Sequence, residues 1–354
     1  MRIATVILFG LSTSLSLSAQ PVTTQMLGGQ APGGVVYFLP KTVFHFHLLV
    51  ERRTFTPGEF APYAENYLRL RDVRQEREVS HNVIDVSITR SAVRDTSRCY
   101  TVKMKGGKCE TAEVRCSEDG VLLAVNDEPL TIPVHVPFKT AQQPVMPDAH
   151  RFLSAEVMAA GSRAKMAELT ARQMQELQER RQQLLTDDDE TPKDERLVRR
   201  VIAEIDAEYQ ALLSLFTGTL HRDTVEHTVT LCPERYISRE VFFRLSRQLG
   251  VVDKDDLAGV PYYISIEPIS PAEAEKYSVP ENKKNEGFYV CVPGSIRLSL
   301  FRADMPLASF DLSAAQFGFT ELCHGNLFKR YVTHMQLHPA TGAIVRLHAD
   351  TDAK

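Results

Sequence analysis

The sequence predicts a mainly β protein carrying an inserted α-helical hairpin: two β-sandwich-like domains with an antiparallel coiled-coil pair between them. Three observations carry this reading. Short runs of alternating apolar and polar residues, separated by turn residues, fill residues 35–125 and return after Thr224. Between Leu153 and Phe216 the apolar spacing changes from two to alternating steps of four and three. A capped turn separates the two heptad stripes.

Taken in order, residues 1–19 read as a secretory signal: Arg2, an apolar stretch from Ile3 to Leu11, a Ser-rich region and Leu-Ser-Ala before Gln20, with cleavage expected after Ala19. No cysteine follows the cut, which argues against a lipid anchor, and no later run approaches the roughly 18 apolar residues of a membrane helix. The expectation is an exported protein of the periplasm or outer-membrane surface. A flexible Gly-rich lead, residues 20–34, follows.

The N-terminal β domain is expected over 35–138, with strands at Val35–Leu39, Thr42–Phe55, Asn82–Thr89, Cys99–Lys105, Cys109–Cys116 and Val121–Val125. "TPGEFAPYAENYL" interrupts them. Pro57-Gly58 turns the chain and Phe60, Tyr63, Ala64, Tyr67 and Leu68 share one helical face, so the segment near 60–70 is expected to plug an open end of the sheet. Six cysteines follow the signal, an even number suited to an oxidising compartment. A hairpin turning at Gly107-Lys108 puts Cys99 opposite Cys116, and a bridge between them is expected; turning at Gly106-Gly107 makes them diagonal neighbours instead. Cys232, Cys291 and Cys323 read as free thiols.

Residues 139–218 hold a Pro-rich linker and the hairpin. The first stripe comprises Leu153, Val157, Ala160, Ala164, Ala167, Ala171 and Met174; the second comprises Val198, Ile202, Ile205, Tyr209, Leu212 and Phe216. Thr191 is the expected N-cap, with Pro192 as first helical residue and Asp194 three positions on, and Gly218 the expected C-terminal cap. A first helix of about 35 residues would span roughly 50 Å, so it must lie on the body or break near Gly161. Its charged, Gln-rich outer face reads as solvated. The tip acids Asp187, Asp188, Asp189 and Glu190 are the candidate partner contact. A second β domain is expected over 219–354.

Chemistry is sparse. A formal net charge of −4 with interspersed signs excludes a nucleic-acid stripe, and the absence of Trp weighs against a sugar cleft, although the 11 Tyr could stack instead. His45 and His47 share one strand face, as do His334 and His338, but nothing in sequence marks a third ligand, so no metal is expected. "DKDDLAG" fails calcium-loop spacing at Leu257 and Ala258 and reads as a turn. "VPGSIRL" lacks a nucleophile elbow, Cys323-His324 are sequence neighbours, and no Gly-rich phosphate loop follows a strand. No catalytic residue and no cofactor is therefore expected.

"VVYFLPKTVFHFHLLVERRTFTPGEFAPYAENYLRLRDV", "SEDGVLLAVN", "LLTDDDETPKDE", "LLSLFTG", "VFFRLSRQLGVVDKDDLAGVPYYISI" and "AQFGFTEL", in that order, resemble a secreted family of the Bacteroidales, domain of unknown function 4831. The resemblance implies an envelope protein of a Gram-negative gut or oral bacterium, with no catalytic residues to carry over. Cys99, Cys109, Cys116 and "LCHGNLF" depart from the family pattern, which puts a family-wide role for these thiols in doubt. The functional expectation is a binding or scaffold protein that contacts a protein partner or a second copy through its helical hairpin or its sheet edges. A glycan-active hydrolase or carbohydrate-binding protein is the alternative.

Overall fold

A computed structural model describes residues 35–102, 113–140, 147–186, 195–269, 287–324, 327–328 and 331–350. The signal and lead, the 106–108 turn with Cys109, the tip acids Asp187–Glu190 and the Thr191 cap lie outside the described residues.

The chain is mainly β, in antiparallel sheets. β1 (Val35–Thr56) lies between β2 (Glu78–Val102) and β5 (Thr219–Leu231). β6 (Ile237–Ser246), β7 (Gly250–Val252), β8 (Val260–Pro268), β9 (Gly287–Arg302) and β10 (Met305–His324) form a second sheet in the order β10-β9-β8-β6-β7. β3 (Val114–Cys116), β4 (Leu122–Val125), β11 (Val332–Leu337) and β12 (Ile344–Asp350) form a third in the order β12-β11-β4-β3.

Strand periodicity decides what each face of β1 does. Phe44, Phe46, Leu48 and Val50 point inward and are at most 1% exposed. They pack against Ile264, Ile266, Leu298 and Leu300 of the second sheet, each such side chain contributing roughly 1.5–3 kcal/mol by leaving water. A further core joins Tyr37 and Leu39 of β1 to Leu122, Phe288, Val290, Met335 and Leu337.

These pairings revise the expected division into two β domains. β5, assigned by sequence to the second unit, pairs with β1 from Phe44↔Leu231 to Thr56↔Thr219, and β4 of the first unit pairs with β11. Both cores likewise mix residues from either side of the helices. Alternation specifies which face a strand buries but not which strand lies beside it, so partners far apart in sequence were invisible.

The helical region holds two long helices, and a break near Gly161 divides the first expected helix into a short and a long piece. Ser154 caps the short α2 (Ala155–Met158), the chain bends at Gly161, and Ser162 accepts from Lys165 N at 3.3 Å to open α3 (Arg163–Thr186). α4 (Glu195–Thr217) ends at Gly218, φ +80°, whose N–H bonds to Ser214 O at 2.8 Å. Ala167, Ala171, Met174 and Leu177 of α3 meet Ile205, Leu212, Leu215 and Phe216 of α4. Contacts Gln173–Glu208 and Arg181–Asp206 run in opposite chain directions.

"TPGEFAPYAENYL" becomes a 3₁₀ turn (Ala61–Tyr63) leading into α1 (Ala64–Leu68). The expected plug is corrected here. Phe60 and Ala64 bury themselves in the helical core, with the Phe60 ring 5.5 Å from that of Phe216, so the segment covers the helices rather than a sheet end. Its apolar face meets the stripes of the helical pair, the 3₁₀ turn against α4 and α1 against α3.

Candidate functional site

Among the described residues, the outward face of β1 helps to build the one group of three His, Cys, Asp or Glu side chains close enough to share an ion. Because opposed residues of antiparallel strands share a face, the register His45↔Thr230, His47↔Thr228 and Leu49↔Glu226 puts His45, His47, Glu226, Thr228 and Thr230 on one surface. On the other flank, His45↔Thr89 and Val43↔Ser91 set Thr89 and Ser91 beside the histidines. His45 bonds Ser91 Oγ at 2.7 Å and Thr230 Oγ1 at 3.2 Å.

His47 lies on this outer face yet is buried. Its cover is the irregular strap 128–140, the Pro-rich stretch that sequence reading treated as domain end and linker. The strap is pinned where Glu226 Oε2 accepts from Phe138 N at 2.6 Å and Thr140 Oγ1 donates to Thr224 O at 2.6 Å. His135 stacks on His47 with ring centroids 3.5 Å apart at 14°. Glu226 Oε1 receives both rings, at 2.9 Å from His47 Nδ1 and 2.5 Å from His135 Nε2. The three donor atoms lie within 4.8 Å of one another.

Second contacts hold the trio. His47 Nε2 meets Thr89 Oγ1 at 2.8 Å, and Nδ1 also approaches Thr228 Oγ1 at 3.1 Å. Burial, then the adjacent His135 ring, push the His47 pKa down, favouring a neutral imidazole. The Phe138 N–H, followed by His135, outweighs desolvation and holds the Glu226 carboxyl below the usual carboxylate range. Beside the trio a pocket of about 570 Å³ opens between strap and sheet, lined by His45, Thr89, Ser91, Ile132, Val134 and His135. Its carboxylates, Glu118 and Asp119, are neighbours on the single turn Ser117–Gly120 rather than a pair facing across a cleft.

The other sequence candidates disperse. Cys99 and Cys116 are free thiols: β2 pairs with β1, setting Cys99 opposite Phe38, while Cys116 belongs to β3 in another sheet opposite Leu122. Among the described residues the two cysteines stand in different sheets and are not opposed, unlike the register expected from sequence; the turn between them lies outside the described residues. Cys232, Cys291 and Cys323 are free as well, Cys291 and Cys323 buried and Cys232 exposed rather than buried. His334 Nε2 lies 3.4 Å from Asp350 Oδ2, and His338 Nδ1 accepts from Ala340 N at 3.2 Å within a turn. "DKDDLAG" is a turn closed by Asp256 N to Asp253 O at 3.1 Å and Ala258 N to Asp256 Oδ1 at 2.8 Å.

A second surface feature is β12. It pairs with β11 alone among the described residues, and Ile344, Val345 and Leu347 are 38%, 53% and 45% exposed. Natural edge strands are usually shortened, charged or covered.

The family model described as Domain of unknown function (DUF4831) matches residues 33–345. The chain belongs to this family. The expectation drawn from the ordered motifs is thereby met, and the match takes in β1, the strap, β5 and the start of β12. No curated protein and no solved structure matches the chain. No described helix of this DUF4831 member is long and apolar enough to cross a membrane.

Proposed function

We propose that the protein is exported to the cell envelope and works there by binding another protein, with the open edge of β12 as the contact. The observation that carries this reading is the exposed apolar edge itself. Along this seven-residue strand the backbone groups on the side away from β11 have no strand partner among the described residues, and Ile344 and Leu347 lie on the face shared with buried Leu337 and Met335. An incoming extended segment would extend the sheet through main-chain hydrogen bonds and cover those side chains. The N-terminal signal pattern supports export. The pocket beside the strap, whose two acids sit on one turn, gives a glycan hydrolase less support than the edge gives a binding protein.

The test is photo-cross-linking in intact cells with a benzophenone amino acid at Val345 or, on the exposed face of α3, at Arg180. A discrete protein adduct from position 345, lost when Leu347 is also changed to Lys, is the expected result. Adducts from position 180 with none from 345 would move the contact to the helices and overturn the edge reading.

A further inference from the structure

The geometry points to a divalent transition-metal site of the zinc class formed by His47 Nδ1, His135 Nε2 and Glu226 Oε1, which clips the strap 128–140 onto the sheet of β1 and β5. Two imidazoles and one carboxylate are the donor set that borderline divalent metals prefer, and three protein ligands leave a coordination position open. The ligands come from three distant parts of the chain, so a bound ion would tie β1, the strap and β5 at one point.

The surroundings fit that role. Glu226 offers Oε1 to the centre while Oε2 is held by the Phe138 N–H, so the carboxylate is oriented without using the ligating oxygen. His47 has Thr89 Oγ1 behind its distal nitrogen at 2.8 Å, the kind of outer partner that fixes ring orientation and tautomer. In the metal-free arrangement both rings direct an N–H at Oε1. A bound metal needs the ligating nitrogen of each ring free of its proton, and on His47 the remaining N–H at Nε2 then donates to the Thr89 hydroxyl. That hydroxyl can serve as either donor or acceptor.

A metal with bonds of about 2.0–2.1 Å needs its donor atoms about 3.3 Å apart, so the 2.9 and 2.5 Å contacts must open by less than an ångström. His135 is the ring that turns out of the stack. It sits on irregular chain with 28% of its side chain exposed, against 8% for His47. The adjoining pocket then gives water or a small ligand access to the open position.

The experiment uses the full, untagged chain stripped with EDTA and titrated with Co²⁺ followed by Zn²⁺, with the cobalt d–d absorption as readout. One equivalent of Co²⁺ displaced by Zn²⁺ is expected. His135→Gln should weaken binding at least 100-fold, Thr89→Val about tenfold, and His45→Gln should leave it unchanged. Because any variant could misfold, X-ray absorption of the wild-type zinc adduct supplies an independent measurement, expected to show two imidazoles in the coordination shell. Absence of saturable one-equivalent binding, equal affinity in folded His135→Gln, or a shell without imidazole would each overturn the site.

Discussion

The side-chain amide of Gln316 pairs with both backbone polar groups of Thr42: Oε1 accepts from Thr42 N at 2.9 Å and Nε2 donates to Thr42 O at 2.9 Å. β5 begins to pair with β1 only at Phe44, so Gln316, in the irregular stretch of β10 between Ala314 and Phe319, takes the place of a missing strand. Thr42 Oγ1 completes the joint, donating to Ala340 O at 2.8 Å and accepting from Ala315 N at 2.9 Å.

Gln316→Leu therefore leaves the Thr42 peptide groups without partners and should destabilise the protein by about 1–3 kcal/mol in urea unfolding. Thr42→Val should cost a similar amount. The double variant should lose less than the sum, because the two residues share one network. A shift below about 0.5 kcal/mol for Gln316→Leu would show that water replaces the amide.

Asp95 is buried and bonds Arg98 Nε at 2.7 Å, Ser97 N at 3.0 Å and Ser97 Oγ at 2.6 Å. Burial pushes its pKa up, but the Ser97 and Arg98 bonds together outweigh burial and the net displacement is downward. A carboxyl depressed in the folded state contributes stability that is full above its unfolded pKa of about 3.9 and lost as pH falls through the folded value. Asp95→Asn removes the charge partner of the half-buried Arg98, whose other oxygen partners are the neutral carbonyls of Pro40 and Ala315, and should cost about 3 kcal/mol at pH 7. Its deficit relative to wild type should shrink below about pH 4, measurable as converging denaturation midpoints.

Gly58 marks the closest approach of β1's end to α4. A Cβ there would sit 2.2 Å from Leu215 O, the same carbonyl that accepts from Phe60 N at 2.7 Å. Gly58→Ala should destabilise by about 1–3 kcal/mol or more, with faster hydrogen exchange concentrated in residues 211–217. Unchanged exchange there would place the strain elsewhere.

The thiols should separate by reactivity. Burial pushes Cys116 up to about 11 and raises Cys291 and Cys323 as well, whereas Cys99 is exposed. Iodoacetamide at pH 8 should label Cys99 in the folded protein well before these three. Non-reducing peptide mapping should recover Cys99 and Cys116 unlinked; a Cys99–Cys116 peptide would contradict the sheet assignment.

The candidate site was half legible. "HFH" announced two histidines on one strand face, and "TVEHTVTL" alternates Glu226, Thr228 and Thr230 in the same way. Neither pattern says that these strands pair, because 178 residues intervene between His47 and Glu226 and alternation is blind to the partner's identity. His135 had no signal beyond its place in "IPVHVP", a stretch whose prolines prevent regular pairing. That stretch serves as a cover because Glu226 captures it.

Local physics settled what repeats at short range: the inward row Phe44-Phe46-Leu48-Val50, the stripes of α3 and α4, the break at Gly161 and the stop at Gly218. Those depend on periodicity, capping and backbone freedom, which neighbouring residues define. Sheet membership of β5 and β4, the docking of the 3₁₀ turn on α4 and of α1 on α3, and the meeting of His47, His135 and Glu226 were decided in three dimensions. Each depends on which distant surfaces bury the most apolar area together while pairing their polar groups, a comparison that no single segment contains.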